Sequence, residues 1–311
     1  MFLKKVWPHS VLLLYCEFFY RSKGFDVNFD PEFLNNDPAD VCRLILKNIN
    51  NNIHIKLADA GISPTLWQAS SYPKEFQKKI KIIHDGIDTV SLKPNASVEI
   101  SLNSGVKLNN KDEIITFVNR NLEPYRGYHI FMRSLPKLLE KRPNLKVLIL
   151  GGDSTSYGEH PKNGLSWKET FANEIKSKLK DEDLKRIIFL GTISYNQYIS
   201  ILQISSVHIY LTYPFVLSWS LLEAMSIGCP IIASNTKPLE ELIINNVNGI
   251  LVDFFDYEQL SIEISNLLDN VQLRSILSNN ARKHIIENYD LKTVCLPKQI
   301  NFVKSLLSDL N

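Results

Sequence analysis

The segment Val207-His-Ile-Tyr-Leu-Thr-Tyr-Pro-Phe-Val-Leu-Ser-Trp-Ser-Leu-Leu-Glu-Ala-Met-Ser-Ile-Gly-Cys-Pro-Ile-Ile-Ala233 decides how the chain folds. A short β-branched apolar run, Val207 to Leu211, passes through a loop into a helical pattern, Leu221 to Ile227, and a second apolar run, Pro230 to Ala233, follows at once. Runs this short and this apolar are buried strands of a parallel sheet. Strand, helix and strand in succession make a right-handed βαβ unit.

The same alternation extends outward from this unit. Ile114 to Val118, Lys146 to Leu150, Arg186 to Leu190 and Ile250 to Val252 have the strand pattern, and His129 to Lys141, Trp167 to Lys180, Tyr195 to Ile204, Leu239 to Ile243 and Tyr257 to Leu267 have the helical one. The prediction is an α/β fold: one complete, doubly wound Rossmann-like domain over residues 111–290, with helices on both faces of its sheet. Upstream, Val11 to Tyr15, Leu57 to Ser63 and Lys79 to His84 are strand-like, Ala39 to Leu57 has a helical period, and Phe25 to Pro38 is a loop rich in Asp, Asn and Pro. So few strands make only a partial Rossmann-like domain, over residues 1–94. Residues 95–110, within a stretch from Asp88 to Asn110 rich in Ser, Asn and Lys, read as an exposed linker, and residues 291–311 as a C-terminal helix packing back on the N-terminal part.

Bulk properties exclude several classes. Lys plus Arg number 35 against 33 Asp plus Glu, a formal charge of +2, which is far from the dense basic face that nucleic acid requires. The four cysteines, Cys16, Cys42, Cys229 and Cys295, lack CxxC spacing and read as reduced core thiols of a cytoplasmic protein. The seven histidines form no cluster of metal-ligand spacing, and His208, inside a strand, reads as a satisfied core residue. The apolar run Val11 to Tyr20 is broken by Glu17 and is too short to span a bilayer, which leaves room only for peripheral membrane contact. Neither GxGxxG nor GxxxxGK[ST] occurs.

Two loops carry the chemistry. The loop before Leu221 opens a helix at the carboxyl edge of a parallel sheet, where free amides face phosphates and sugars. Glu223 stands about one turn into that helix, placed to accept two ribose hydroxyls, although Ser220-Leu-Leu-Glu223 also has the form of a capping box with a purely local role. The second loop, Val118-Asn-Arg-Asn-Leu-Glu-Pro-Tyr-Arg-Gly127, holds Arg120 and Arg126, whose planar forks suit a pyrophosphate as well as a solvated surface.

Arg120 to Gly127, Gly191-Thr-Ile-Ser194, Leu221-Leu-Glu-Ala-Met-Ser-Ile-Gly228 and Asn248-Gly-Ile-Leu-Val-Asp253 fall in an order and spacing that resembles the glycogen-synthase-like family of retaining GT-B glycosyltransferases. The likeness runs from about Lys79 through Asn288 and favours a bacterial subgroup whose helix start reads Tyr-Pro-Phe-Val-Leu-Ser-Trp-Ser. Phe18-Phe-Tyr-Arg21, Phe29-Asp-Pro-Glu32, Ser63-Pro-Thr-Leu-Trp-Gln68 and His84-Asp-Gly-Ile-Asp88 also resemble that subgroup. The resemblance implies metal-independent hexosyl transfer with retention, from a nucleotide-diphosphate sugar bound as substrate, with no cofactor. It places Arg120 and Arg126 on the donor diphosphate and Glu223 on the ribose. Ser218 and Trp219 match the turn facing phosphate and sugar, Ile193 the wall beside the base. Phe215 takes the place of a donor-binding glutamate, and a phenyl ring cannot accept sugar hydroxyls.

Fold alone also admits a non-catalytic nucleotide or sugar-phosphate binding module, or an epimerase acting on nucleotide sugars. The resembled family draws a glycine-rich loop and a histidine from an early segment with no counterpart upstream of Met1. The expectation is therefore an N-terminally shortened transferase whose leading part exposes unpaired strand edges and whose transfer is weak unless another chain supplies the rest.

Overall fold

A computed structural model describes the chain except residues 1, 36, 103, 104, 163 and 309–311. It divides into two compact units: residues Met1–Asp88 with Tyr213–Leu217 and Glu287–Asn311, and residues Thr89–Thr212 with Ser218–Ile286.

In the first unit, the short helix α1 (Leu3–Val6) precedes β1 (Leu13–Tyr15), α2 (Pro38–Leu57), β2 (Ala60–Ser63), α3 (Leu66–Ser70), α4 (Lys74–Gln77) and β3 (Ile80–Ile82). The three strands form one parallel sheet in the order β1-β2-β3. Asp37 caps α2 by accepting from the Ala39 amide, and Pro38, which lacks an N–H, occupies the first turn where none is needed. The helix runs on to Leu57, so the second strand starts later than its apolar run suggests. Between sheet and helices lies a core of Cys16, Phe19, Ile55, Tyr72 and Phe76. Of the four thiols, all free, Cys42 departs from the expected core position: it is exposed on α2.

The second unit holds the complete domain. It opens with the antiparallel pair β4 (Glu99–Ser101) and β5 (Lys107–Asn109), inside the stretch read as an exposed linker. Strand pairing and the fully buried Leu108 depart from an exposed connection, although most of the described residues around them are exposed. The polar composition masked a hairpin because one apolar side chain in it faces inward. There follow β6 (Ile114–Asn121), α5 (Tyr128–Lys141), β7 (Lys146–Gly152), α6 (Trp167–Lys176), α7 (Asp181–Leu184), β8 (Ile187–Gly191), α8 (Tyr195–Gln203), β9 (Val207–Tyr210), α9 (Trp219–Ile227), β10 (Ile231–Ser234), α10 (Lys237–Glu240), β11 (Ile250–Val252), α11 (Tyr257–Asp269) and α12 (Val271–Tyr289). The six strands β6 to β11 form a parallel sheet in the order β11-β10-β9-β6-β7-β8. The sequence order reverses beside β6, the switch point outside which doubly wound sheets bind ligands. Helix α12 has no counterpart in the sequence reading. Only Leu277, Ala281 and Ile285 of it are buried, a stripe too narrow to stand out among its Asn, Ser and Lys residues. In the first unit, α13 (Leu296–Ser308) closes the described chain.

His208 lies wholly buried on β9, with Nδ1 at 2.9 Å from the Thr116 hydroxyl of β6. Its Nε2 makes no hydrogen bond among the described residues, so the expected satisfied core histidine is only half satisfied. Burial pushes its pKa from 6.5 down to about 3. The folded state holds this ring neutral while the unfolded chain protonates it, so stability is lost as pH falls from 6.5 toward 3. Each pH unit in that window costs up to about 1.4 kcal/mol. Between pH 7 and pH 5 the wild-type chain should therefore lose roughly 1–2 kcal/mol more than His208→Gln, as measured by denaturant unfolding. His84, also lowered by burial, titrates in both chains and cancels in the comparison. Parallel pH profiles for the two chains would show that His208 protonates without penalty.

Candidate functional site

The loops after β6, β8 and β9 leave the same carboxyl edge of the second unit's sheet, because all its strands run parallel. After β6 the path is tightly held. The β6–β7 ladder loses register between Val118 and Asn121, which places Arg120 inside an irregularity of the kind that re-aims side chains. Arg120 is exposed and makes no side-chain hydrogen bond or ion pair with the described residues. Glu123 is 1% exposed, and its carboxylate accepts from the Ser156 amide at 2.6 Å and the Tyr157 amide at 3.2 Å. Burial raises its pKa, against the opposing pull of those two amides and of Arg126 and Arg120. Nothing in the one-dimensional pattern singles out Glu123, because its partners lie more than thirty residues on.

Arg126 ends a 3₁₀ turn, Pro124–Arg126, and is 8% exposed. Its Nη1 donates to the Thr212 hydroxyl at 2.9 Å, and its guanidinium lies 5.5 Å from the centre of the Tyr157 ring. The loop after β6 is thereby tied to the residues that follow β9. Gly127 ends the turn and starts α5 in the left-handed region, at φ 66°, and a Cβ there would stand 2.3 Å from the Leu211 Cβ.

After β9, Ser218 caps α9, its hydroxyl accepting from the Ser220 amide at 3.3 Å. The Ser218 amide itself donates to the Tyr210 hydroxyl at 3.1 Å, so this donor is already engaged within the fold. Trp219 begins the helix and is 54% exposed. The capping box Ser220 to Glu223 does not form. The cap is Ser218, which sets Glu223 beyond the third helical position, and its carboxylate turns to α8 instead. Oε1 accepts from the Tyr195 hydroxyl at 2.7 Å and Oε2 from the Tyr198 hydroxyl at 2.8 Å. Burial first, and the Glu223 carboxylate second, hold the Tyr198 hydroxyl well above its ordinary pKa. Ser194 and Gln197 form a reciprocal capping box that fixes the start of α8. Ile193, half-buried in the loop before it, lines a cleft of about 930 Å³ along the edge strand β8, together with Phe189, Asn196, Gln197 and Leu102.

Phe215 departs from the group. It belongs to the first unit, where its ring is 2% exposed and packs edge-on against Phe18 at 4.9 Å. Other motif residues of that unit also have structural work. Asp30 accepts from the Tyr213 hydroxyl at 2.7 Å, Thr65 caps α3, and Gln68 Nε2 donates to the Glu17 carbonyl at 2.9 Å.

A doubly wound parallel domain with a smaller parallel α/β unit defines the GT-B class, and solved structures share the fold. HepE of Anabaena, solved in complex with UDP and glucose, superposes with a TM-score of 0.68 at 17% identity, over 97% of this chain and 73% of that one. Sucrose-phosphate synthase of Thermosynechococcus elongatus does so with a TM-score of 0.68 at 18% identity, over 88% and 65%. Residues 101–284 match the family described as Glycosyl transferases group 1, and residues 1–92 match the Glycosyl transferase family 4 group. The chain belongs to the group 1 glycosyltransferase family. An uncharacterized glycosyltransferase of Methanocaldococcus jannaschii is 26% identical over 216 residues, which are 68% of this chain and 51% of that protein. The D-inositol 3-phosphate glycosyltransferase of Corynebacterium efficiens is 26% identical over 211 residues, 66% of this chain and 46% of that protein. The chain thus spans about half the length of the curated relatives it matches. Among the described residues no helix is long and apolar enough to cross a membrane.

Gly127→Ala should destabilise the second unit by at least about 1 kcal/mol, since it adds both left-handed strain and overlap with Leu211. An unchanged melting temperature would show that the loop can take another path.

Proposed function

We propose that this chain acts in the transfer of a sugar from a nucleotide-diphosphate sugar to an acceptor, with retention at the anomeric carbon and without a metal. One observation carries the reading: the Arg126–Thr212 hydrogen bond joins the loop after β6 to the chain leading to α9, at the carboxyl edge of one parallel sheet. The complex of HepE with UDP and glucose, on the same fold, supports it. Departure of a nucleoside diphosphate requires stabilisation of its developing charge, which fixed cations and helix dipoles supply in a preorganised site.

In this reading Arg120 and Arg126 take the diphosphate, with Arg126 held in place by Thr212 and by the Tyr157 ring. The first turn of α9 adds its dipole and the Trp219 amide, the Ser218 amide being committed to Tyr210. Glu223, further along α9, accepts ribose hydroxyls, and Ile193 borders the base. The donor is a substrate and not a resident cofactor.

Arg120→Ala and Arg126→Ala should each weaken nucleoside-diphosphate binding by about 1–3 kcal/mol while leaving nucleoside binding nearly unchanged. Calorimetric titration with UDP and uridine, then GDP and guanosine, reads this directly. Diphosphate affinities equal to wild type in both variants would remove the arginines from the site.

A further inference from the structure

Tyr195 and Tyr198 are three residues apart on α8, a spacing that puts both hydroxyls on one face of the helix. Each takes a different oxygen of Glu223, at 2.7 and 2.8 Å. Their surroundings differ sharply: Tyr195 is 55% exposed at the first helical residue, whereas Tyr198 is 9% exposed one turn on. Each carboxylate oxygen already accepts from one tyrosine hydroxyl, so a ribose hydroxyl that needs the direction Tyr195 holds can be accepted only in its place. An exposed tyrosine changes rotamer within nanoseconds, while a buried one cannot leave without opening a cavity.

We propose that the two tyrosines act on Glu223 in opposite senses: the buried Tyr198 hydroxyl fixes the carboxylate, and the exposed Tyr195 hydroxyl occupies an acceptor position that a ribose hydroxyl takes when nucleotide binds. This rests on the reading of Glu223 as the ribose acceptor. Tyr198 is a positioning residue. Tyr195 is a competing one, whose displacement sets how tightly a ribose with both hydroxyls is held. Because the competition is between donors for one acceptor position on Glu223, it discriminates a full ribose from one that lacks its diol and is indifferent to the diphosphate.

The test is calorimetric titration of the full chain with UDP and with 2′,3′-dideoxy-UDP, using wild type, Glu223→Gln, Tyr198→Phe and Tyr195→Phe; GDP and its dideoxy counterpart replace the pair if UDP does not bind. Tyr198→Phe should weaken binding of the ribose nucleotide about three- to tenfold, and Tyr195→Phe should strengthen it by a similar factor. Both changes should vanish with the dideoxy ligand. A merely structural effect of removing either hydroxyl would shift both ligands alike, and that result overturns the proposal. If Glu223→Gln abolishes discrimination between the two ligands but Tyr195→Phe weakens the ribose nucleotide or leaves it unchanged, the competition fails while the ribose reading stands. If Glu223→Gln discriminates as wild type does, or if neither ribose nucleotide binds, the ribose reading falls and the competition with it.

Discussion

In a parallel sheet every strand leaves at the same edge, and the site depends on that constraint. The loops after β6 and β9 start from adjacent ends of one hydrogen-bonded layer, with that after β8 two strands away, so residues nearly a hundred positions apart become neighbours without a long detour of the chain. The Arg126–Thr212 bond, whose partners are 86 positions apart, is the direct expression of this geometry. It helps to orient a charged side chain that is itself buried. A guanidinium held by a hydroxyl and an aromatic face gives up less rotamer entropy on meeting an anion than a free one does.

That bond is itself supported by a buried acid. Glu123 brings two amides of the loop after β7 against the turn that carries Arg126, and Gly127 lets the chain pass close to Leu211. The arrangement places a carboxylate 1% exposed in the same turn as a guanidinium 8% exposed. Buried polar groups of this kind are tolerated because each is hydrogen-bonded, and the same bonds make the loop rigid. Glu223 follows the same rule by another route. Its carboxylate stands on the second turn of one helix, and its hydrogen-bond donors come from the next helix over, so its direction is set between elements and not within its own.

The first unit works differently. Its motif residues are largely committed to its own architecture: Asp30, Thr65 and Gln68 close turns and tie loops, and Phe215 fills the space against Phe18. The aromatic ring at this position makes the segment a packed one. The segment Tyr213–Leu217 is therefore held by apolar burial and by the Tyr213–Asp30 bond.

The class of fold was legible in the sequence because it is encoded locally. Apolar runs of strand length alternating with helical periods specify βαβ units whatever surrounds them, and the arginines were visible as charged residues at the end of one strand and in the loop after it, Glu223 as an acid early in the helix that follows another. What the pattern could not hold were features made by one or two side chains with distant partners. The hairpin around Leu108 was hidden in a polar stretch, and the narrow stripe of Leu277, Ala281 and Ile285 was hidden in a polar helix. Tertiary structure alone chose between the two local meanings of Glu223. Spacing allowed a capping box, but the helix began two residues earlier, at a cap on Ser218, and two tyrosines from α8 took the carboxylate. The physical reason is range: periodicity and capping are read within a turn or two of chain, whereas a hydrogen bond across 25 or 28 residues exists only once the sheet has brought two helices side by side.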